Sequence, residues 1–224
     1  FEVSKPEAIT KVIDGELMEP MELLTLDAKD KYIGALTEML SKRQAQPTDI
    51  RNDGHDNVHL EFRVPTKGLI GFRSAFLTAT RGEGIMNTAF LGYEAWHGNI
   101  TSTRNGALVA SEQGIAVTYG LNNAQGRGIT FIEPGTSVYE GMIIGLNPRL
   151  QDMAINVCKE KKKTNVRSST SDIAIKLTSS VKLSLEQAID FINKDELVEV
   201  TPENIRLRKK LLTQTQRLRS ISLS

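Results

Sequence analysis

The stretch Val58–Val64 reads Val-His-Leu-Glu-Phe-Arg-Val, with an apolar side chain at every second position. Such alternation predicts a β-strand that buries one face. The turn signal Asn52-Asp53-Gly54 precedes it, and apolar residues at helical spacing follow it from Leu69 to Thr80. Arg81 in the last turn and Gly82 after it are typical of a helix end. The stretch therefore predicts a strand followed by a helix.

The residues around this pair complete one α+β domain. Upstream, Glu19–Leu26 is predicted to be a strand, and Asp27, with Asp30 in the capping-box position, is predicted to begin a helix. Apolar side chains then recur on one helix face, at Tyr32, Ile33, Leu36, Met39 and Leu40. Downstream, Ile85–Tyr93 predicts a final strand. The order strand–helix–strand–strand–helix–strand over residues 19–96 is that of a ferredoxin-like split βαβ domain.

Residues 97–212 differ in character. Glycines recur at short intervals, and between them lie short apolar runs at 107–110, 115–119, 129–132 and 142–146. This pattern predicts a β-rich domain with tight turns. One main helix is predicted where Ser184 and Gln187 form a capping box, and two strands are predicted around a turn at Pro202–Asn204. The expected fold class is α+β, a ferredoxin-like split βαβ domain followed by a β-rich C-terminal domain with one main helix.

The two ends of the chain are expected to lie outside these domains. Residues 1–18 contain the alternating pair Phe1 and Val3 and the turn signal Asp14-Gly15, and we interpret them as the end of a preceding domain and a linker. Because the sequence has no initiator methionine, we expect the chain to be a fragment of a longer protein. Residues 213–224 are polar and basic and are predicted to form a flexible tail.

Composition excludes several classes of protein. The chain has 224 residues, of which 39% are hydrophobic and 25% charged, the balance of an ordinary globular protein. No apolar run approaches the roughly 18 residues of a transmembrane helix, and no signal peptide is found, so no membrane contact is expected. With a single cysteine, Cys158, the chain cannot form an internal disulfide, and a cytoplasmic location is expected.

The net charge of +1 hides an asymmetry along the chain. Residues 1–96 carry 11 basic and 15 acidic side chains, whereas residues 97–224 carry 17 and 12. The basic second half indicates that any contact with a polyanion lies there.

Motifs for catalysis or cofactor binding are not found in the sequence. Neither the phosphate-binding motif G-x-x-x-x-G-K-[ST] nor the nucleophile elbow G-x-S-x-G occurs. His55 and His59 are predicted to lie in a turn and a strand rather than on a helix, so a surface role is favoured over a metal site. We therefore predict no catalytic, cofactor-binding or metal-binding residue.

The most conspicuous feature is the basic segment Lys159–Ser171, which holds five cations, several hydroxyls and almost no apolar side chain. It is predicted to be a loop between strands at Ala154–Cys158 and Ile173–Leu177. Such a loop can neutralise phosphates and donate hydrogen bonds to phosphate and ribose oxygens, and Arg167 can clamp a phosphate with two hydrogen bonds. Because no aromatic side chain is interleaved, it is expected to grip an RNA backbone rather than to stack on bases. The alternative is a solvated hairpin tip.

A second basic group lies near the C-terminus and consists of Arg206, Arg208, Lys209 and Lys210. Arg206 and Arg208 alternate along a predicted strand, so they are expected to form a stripe on one face of the sheet. The stripe favours RNA binding, although a solvated face has the same pattern.

Several stretches of the chain carry the motifs of a known family. They are Pro-Thr-Lys-Gly-Leu-Ile-Gly-Phe-Arg-Ser-Ala-Phe-Leu at 65–77, Arg-Asn-Gly-Ala-Leu-Val at 104–109, Val-Tyr-Glu-Gly-Met-Ile-Ile-Gly at 138–145 and Asp-Glu-Leu-Val-Glu-Val-Thr-Pro at 195–202. They closely resemble the BipA (TypA) family of translational GTPases, which is related to elongation factor G and LepA. The resemblance extends over residues 1–212. The run 104–202 is specific to this family, whereas residues 19–96 fit any relative of elongation factor G.

The resemblance implies a division of labour within a longer protein. In the family, an N-terminal domain binds GTP and Mg²⁺ and hydrolyses the nucleotide, so this chain is expected to be non-catalytic and to bind no cofactor. Residues 19–96 resemble domain V of elongation factor G, which lies near the base of the ribosomal stalk. Residues 97–212 resemble the C-terminal domain found only in BipA, which reaches towards large-subunit rRNA and the acceptor arm of the A-site tRNA. The implied role is ribosome and tRNA binding by a monomer that acts in ribosome assembly, stress adaptation and translation regulation.

The resemblance also assigns roles within the basic segment. The family's loop runs approximately Gly-Lys-Lys-Leu-Thr-Asn-Met-Arg; Glu160 replaces its glycine and Lys163 replaces its apolar residue. The lysines and Arg167 are expected to screen phosphates, while Thr164 and Asn165 fix the register. The predicted RNA-binding residues are Lys159, Lys161, Lys162, Lys163, Thr164, Asn165, Arg167, Arg206 and Arg208.

Two other functions remain as alternatives. A protein-interaction module with no direct RNA contact would bind ribosomes, if at all, independently of salt and of loop charge. A stand-alone enzyme would need a pocket with a perturbed acid–base pair, which the sequence does not show.

Overall fold

The chain divides into two units in the computed structural model, which describes residues 1–100, 104–160 and 176–221. The first unit is residues 6–103, and the second is residues 1–5 together with residues 104–224. The predicted boundary after residue 96 therefore differs from the structural boundary after residue 103. Among the described helices, none is long and apolar enough to cross a lipid bilayer.

The described residues contain more strands than helices. The strands are β1 (Glu2–Ser4), β2 (Lys11–Ile13), β3 (Glu16–Lys29), β4 (Gln46–Asn52), β5 (Asn57–Pro65), β6 (Ile85–Ala95), β7 (Ala107–Ala110), β8 (Gly114–Ile115), β9 (Ile129–Thr130), β10 (Ser137–Val138), β11 (Met142–Leu146), β12 (Met153–Ile155), β13 (Glu196–Val200) and β14 (Ile205–Lys209). The helices are α1 (Ile33–Ser41), α2 (Thr66–Leu69), α3 (Phe72–Ala79), α4 (Thr118–Gln125), α5 (Leu185–Phe191) and α6 (Gln214–Ile221).

The first unit is built on an antiparallel sheet in the order β6-β3-β5-β4. Together with the helices between its strands, this sheet confirms the predicted ferredoxin-like split βαβ arrangement. A tight turn at Asp14 and Gly15, both with positive φ (52° and 84°), places β2 beside the start of β3. Residues 11–18, which were predicted to precede this domain, thus contribute to its sheet.

The core of the first unit lies between the sheet and its helices. Every second side chain of β5 is buried, namely Val58, Leu60, Phe62 and Val64, as the alternation predicts. The residues between them, His59, Glu61 and Arg63, are half-buried on the other face. The helices contribute Leu36, Leu40, Phe72 and Phe76 to the same apolar cluster.

The predicted start of the first helix is wrong. Asp27 lies within β3 rather than at a helix cap, and the chain passes through a short 3₁₀ turn at Asp30–Tyr32 before α1 begins. Pairing with Ile85 on one side and His59 on the other extends β3 beyond the point where local capping signals predict a helix. Ladder hydrogen bonds to two neighbouring strands outweigh one side-chain cap.

The second predicted helix is divided in two. The chain forms α2 and α3 on either side of Ile70 and Gly71, and Gly71 has a φ of 70°. That conformation interrupts a helix and suits glycine, which lacks a Cβ.

The second strand of the predicted order is β4, which lies at the edge of the sheet. It carries Pro47, which has no N–H, and at an edge this missing donor removes no hydrogen bond of the ladder.

The second unit is built on a larger sheet in the order β1-β13-β14-β11-β7-β12, with β9 also paired to β11. Its strands are antiparallel except for the pair β7 and β12, and a separate two-stranded ribbon joins β8 to β10. Residues 2–4, predicted to end a preceding domain, pair instead with β13, with Val3 opposite Val198.

The central strands of this sheet are buried on both faces. All four residues of β7 are buried, and Leu108 and Ala110 belong to one apolar cluster, whereas Ala107 and Val109 belong to another. The first cluster includes α4, and the second includes α5. This arrangement confirms the predicted β-rich fold class and adds a layer on each side of the sheet.

The helices of the second unit differ in part from the prediction. The capping box before α5 is confirmed: Gln187 N donates to Ser184 Oγ at 3.2 Å, and Ser184 N donates to Gln187 Oε1 at 2.9 Å. However, α4 occupies part of the predicted apolar run 115–119, and α6 occupies the predicted flexible tail. The start of α6 is held by a similar exchange, in which Gln216 N donates to Thr213 Oγ1 and Thr213 N donates to Gln216 Oε1.

Candidate nucleic-acid interface

The predicted RNA-binding residues fall into three groups in the structure. Lys159 is exposed and lies one residue before the end of the described range 104–160. Six others lie outside the described residues: Lys161, Lys162, Lys163, Thr164, Asn165 and Arg167. Arg206 and Arg208 lie on β14 and are half-buried. The strand before the basic segment is Met153–Ile155, shorter than predicted, and Lys176 and Leu177 are not in a strand.

The residues before the basic segment are anchored at the start of α4. Val117 N donates to Val157 O at 2.9 Å, and Val157 is buried. Gly120 lies so close that a Cβ at this position would be 2.2 Å from Val157 O, so only glycine fits there. The next residue is fixed as well, because Cys158 N donates to Asn156 Oδ1 at 2.9 Å.

The residues after the basic segment are anchored at the end of α4. The side-chain amide of Gln125 bonds the backbone of Thr178 twice, since Gln125 Nε2 donates to Thr178 O at 2.7 Å and Thr178 N donates to Gln125 Oε1 at 2.9 Å. Val181 N then donates to Thr130 O at 2.9 Å, and Lys182 forms an ion pair with Glu133. Both anchor points of the basic segment are therefore on or beside α4. The sequence did not predict these anchor points, because Gly120 and Gln125 belong to no recognisable motif.

The two arginines of the predicted stripe have different environments, and that of Arg208 is rich in carboxylates. Its guanidinium forms ion pairs with Glu2 on β1 at 2.5 Å and with Glu199 on β13 at 2.9 Å, and its side chain is only 14% exposed. Burial alone would lower the pKa of Arg208, but these two carboxylates raise it. Arg206 lies opposite Glu199 in the ladder. Arg208 therefore ties three strands together, and two carboxylates already contact its guanidinium.

A tyrosine joins the same group. Tyr139 Oη donates to Glu199 Oε2 at 2.5 Å. Burial raises the pKa of Tyr139 most, and its bond to the Glu199 carboxylate raises it further. Tyr139 thus remains a neutral donor, and Glu199 is shared between a tyrosine and an arginine.

Lys209 also proves to be a structural cation. It is 2% exposed, and its ammonium lies 2.5 Å from Asp152, 2.8 Å from Asp195 and 2.8 Å from Glu196. Burial lowers the pKa of Lys209, but the surrounding carboxylates, Glu196 first, raise it above its ordinary value. Arg104 adds a second cation, 2.7 Å from Glu196.

The three carboxylates around Lys209 have oxygens within 4.8 Å of one another, a spacing that a metal ion could use. The lysine ammonium contacts all three and supplies the positive charge that such a cluster requires. Burial raises the pKa of Asp152, but its bonds from Lys209 and from the backbone of Ala107 lower it overall. The cluster is therefore an ion-pair network that joins β14 to the start of β12 and to β13.

The geometry leaves a defined set of cations at the surface of the second unit. In the described part of the second unit outside α6, the exposed lysines and arginines are Arg127, Arg149, Lys159, Lys176, Lys182, Lys194 and Lys210. Lys159 and Lys176 flank the basic segment, and Arg127 follows α4 directly. The positive charges near the anchor points can therefore act with those of the segment on one polyanion.

Comparison with known sequences supports this division of the chain. The sequence model of the TypA/BipA C-terminal domain matches residues 105–214, and that of the elongation factor G C-terminus matches residues 16–104. Among similar proteins, one from Synechocystis is 46% identical over 93% of this chain, one from Bacillus subtilis is 44% identical over 97%, and one from Haemophilus influenzae is 46% identical over 97%. Each of these relatives is named large ribosomal subunit assembly factor BipA. The chain spans 35–36% of their length.

Proposed function

The chain belongs to the TypA/BipA family, and on that premise we propose that it is the non-catalytic, RNA-contacting part of a large ribosomal subunit assembly factor. The observations that carry this proposal are the matches of residues 16–104 and 105–214 to the two family models and the similarity of the chain to relatives that bear this name. In the longer protein, GTP and Mg²⁺ would be bound by a separate N-terminal domain. The work would take place in the cytoplasm, with the protein acting as a monomer.

The basic segment is the proposed contact with rRNA or with the acceptor arm of the A-site tRNA. Lys159, Lys161, Lys162, Lys163 and Arg167 would neutralise phosphates, and Thr164 and Asn165 would donate hydrogen bonds that fix the register. The two anchor points on α4 support this role, because they hold Val157, before the segment, and Thr178, after it, against the same helix. The first unit would contact the base of the ribosomal stalk, and the whole would act in assembly, stress adaptation and translation regulation.

Co-sedimentation with purified bacterial large ribosomal subunits across a salt series tests this function. In the variant, Lys161, Lys162, Lys163 and Arg167 are changed to Ala. Because each phosphate contact contributes roughly 0.7–0.9 to the slope of log affinity against log salt concentration, the variant should bind more weakly and its slope should fall by about three. A matched control removes four exposed cations of the first unit, Lys31, Lys42, Arg51 and Arg73.

The control separates a specific contact from general charge attraction. The segment variant should lose clearly more affinity than the control. Equal losses would mean that the basic segment contributes no more to ribosome binding than exposed cations elsewhere on the chain, which contradicts its role as a specific RNA contact. Unchanged binding of the segment variant would favour the protein-interaction module with no direct RNA contact, and turnover of a nucleotide by the chain would contradict its non-catalytic role.

A further inference from the structure

Helix α4 presents an unusual surface beside the basic segment. Its buried side consists of Gly120, Leu121 and Ala124, which face the apolar core. Its exposed side chains are Thr118, Asn122 and Asn123, and Arg127 is exposed in the turn that follows. Residues 118 and 122 are one helical turn apart and share a face.

This surface carries no negative charge of its own. Residues 113–132 contain no Asp or Glu, although the chain has 27 acidic residues. Within the described part of the chain, Asn122, Asn123 and Arg127 have no side-chain hydrogen bond or ion pair. A phosphate that approached α4 would therefore meet donors that no described residue occupies, and no carboxylate in residues 113–132.

The side-chain chemistry selects the class of partner. Hydroxyl, carboxamide and guanidinium groups are the ones that proteins use on phosphate and sugar oxygens. Protein-binding patches depend instead on buried aromatic or large apolar anchors, and the exposed residues of α4 itself provide none. Two exposed isoleucines, Ile115 and Ile129, flank the helix rather than lie on it.

The position of the surface agrees with its chemistry. The residues before the basic segment are bonded at Val117, and those after it are bonded at Gln125. The helix thus spans the interval between the two anchor points. Lys159 lies two residues after Val157, and Lys176 lies two residues before Thr178, so each lysine is close to one anchor point. An RNA backbone held by the basic segment would lie within reach of α4.

We propose that the exposed face of α4, formed by Thr118, Asn122 and Asn123 together with Arg127, is a second contact for an RNA backbone. This inference rests on the proposed function, because the basic segment brings the RNA to this side of the unit. The surface binds phosphate and ribose oxygens and reads no base sequence. Its two kinds of side chain act differently: the amides contribute neutral hydrogen bonds, whereas Arg127 displaces a counterion.

The test uses the full chain and purified bacterial large ribosomal subunits in the same salt series. An Asn122→Ala/Asn123→Ala variant should bind roughly tenfold more weakly, from hydrogen bonds to charged oxygens, with an unchanged salt slope. An Arg127→Ala variant should lose affinity and also lower the slope by roughly 0.7–0.9. All three side chains are exposed, so circular dichroism should show the same unfolding temperature for variant and parent.

A matched control is Arg149→Ala, which removes an exposed arginine that precedes β12, whereas the basic segment follows it. Its effect should be smaller than that of Arg127→Ala. If the segment variant loses binding but the α4 variants do not, the proposed function stands and this inference is overturned. If the α4 variants lose binding while the segment variant is unchanged, or the parent chain does not bind at all, the proposed function fails and the inference falls with it.

Discussion

The two units bury their central strands in different ways. In the first unit, β5 alternates between buried apolar residues and half-buried polar ones, because only one face of the sheet is covered by helices. In the second unit, β7 and most of β11 are buried on both faces, since α4 covers one side and α5 the other. A one-sided sheet leaves a periodic signature in the sequence, whereas a two-sided one produces a continuous apolar run.

The units also differ in how they bury charge. In the first unit, Glu19 is 1% exposed and bonds Lys67 at 2.6 Å, with His97 as a second partner at 3.0 Å. Burial raises the pKa of Glu19, but the bonds from Lys67 and His97 lower it overall. In the second unit, one lysine, Lys209, balances three carboxylates. The buried charge of the second unit is therefore shared among more partners, and Lys209 is the cation that contacts most of them.

The largest expected effect follows from removing that cation. Lys209→Met should destabilise the second unit by about 3–5 kcal/mol, because it removes the buried cation that Asp152, Asp195 and Glu196 share and leaves the buried Glu196 with Arg104 alone. Hydrogen exchange of peptides from residues 104–160 should accelerate, while fluorescence of the only tryptophan, Trp96, should report an unchanged first unit. The matched control is Lys210→Met at the exposed neighbour, and a similar effect of both variants would show that the network does not stabilise this unit.

The second prediction tests the contrast between one-sided and two-sided strands. On β5, Leu60→Ala should cost about 2–5 kcal/mol, whereas Glu61→Ala should stay within about 0.5 kcal/mol. On β7, both substitutions should lower the free energy of unfolding, Leu108→Ala by about 2–5 kcal/mol and Val109→Ala by about 1.5–3 kcal/mol. Urea unfolding followed for each unit separately measures the four values. A tolerated Val109→Ala would mean that one face of β7 is not packed.

The smallest expected effect is a dependence on pH in the first unit. His59 Nδ1 lies 2.6 Å from Asp27 and Nε2 lies 3.3 Å from Glu61, and these hydrogen bonds raise the pKa of His59 above its ordinary value of 6.5. The stabilisation is therefore complete below pH 6.5 and is lost as the pH rises through the raised pKa. The effect is small because the side chain is 35% exposed and solvent screens the charges.

Urea unfolding of the first unit at a series of pH values, followed by Trp96 fluorescence, measures the slope of the free energy of unfolding against pH. His59→Gln should flatten it, whereas His55→Gln at an exposed turn should not. At acid pH the second unit should lose stability: Asp152 has a pKa below its ordinary value of 3.8, so its stabilisation is present above that pH and is lost as the pH falls. If the free energy of unfolding of the first unit still depends on pH in the same way after His59→Gln, another group causes the dependence.

Much of the first unit could be predicted because its signals are local and periodic. The alternation in β5 and the glycine at the break before α3 act over a few residues. The capping signal at Asp27 failed because two neighbouring strands extend β3 through it. Likewise, β4 has no clear pattern of its own and is a strand because β5 pairs with it.

In the second unit, the sequence by itself determined the apolar runs of β7 and β11, the capping box of α5 and the hairpin of β13 and β14, because each depends on neighbouring residues. Only the tertiary structure decided which cations are available to a partner. Arg206, Arg208, Lys209 and Lys210 look alike in sequence, yet Arg208 and Lys209 face carboxylates from distant segments and Lys210 is exposed. The physical reason is that the free energy of a charge depends on burial and on partners brought together by folding, which residue type does not encode.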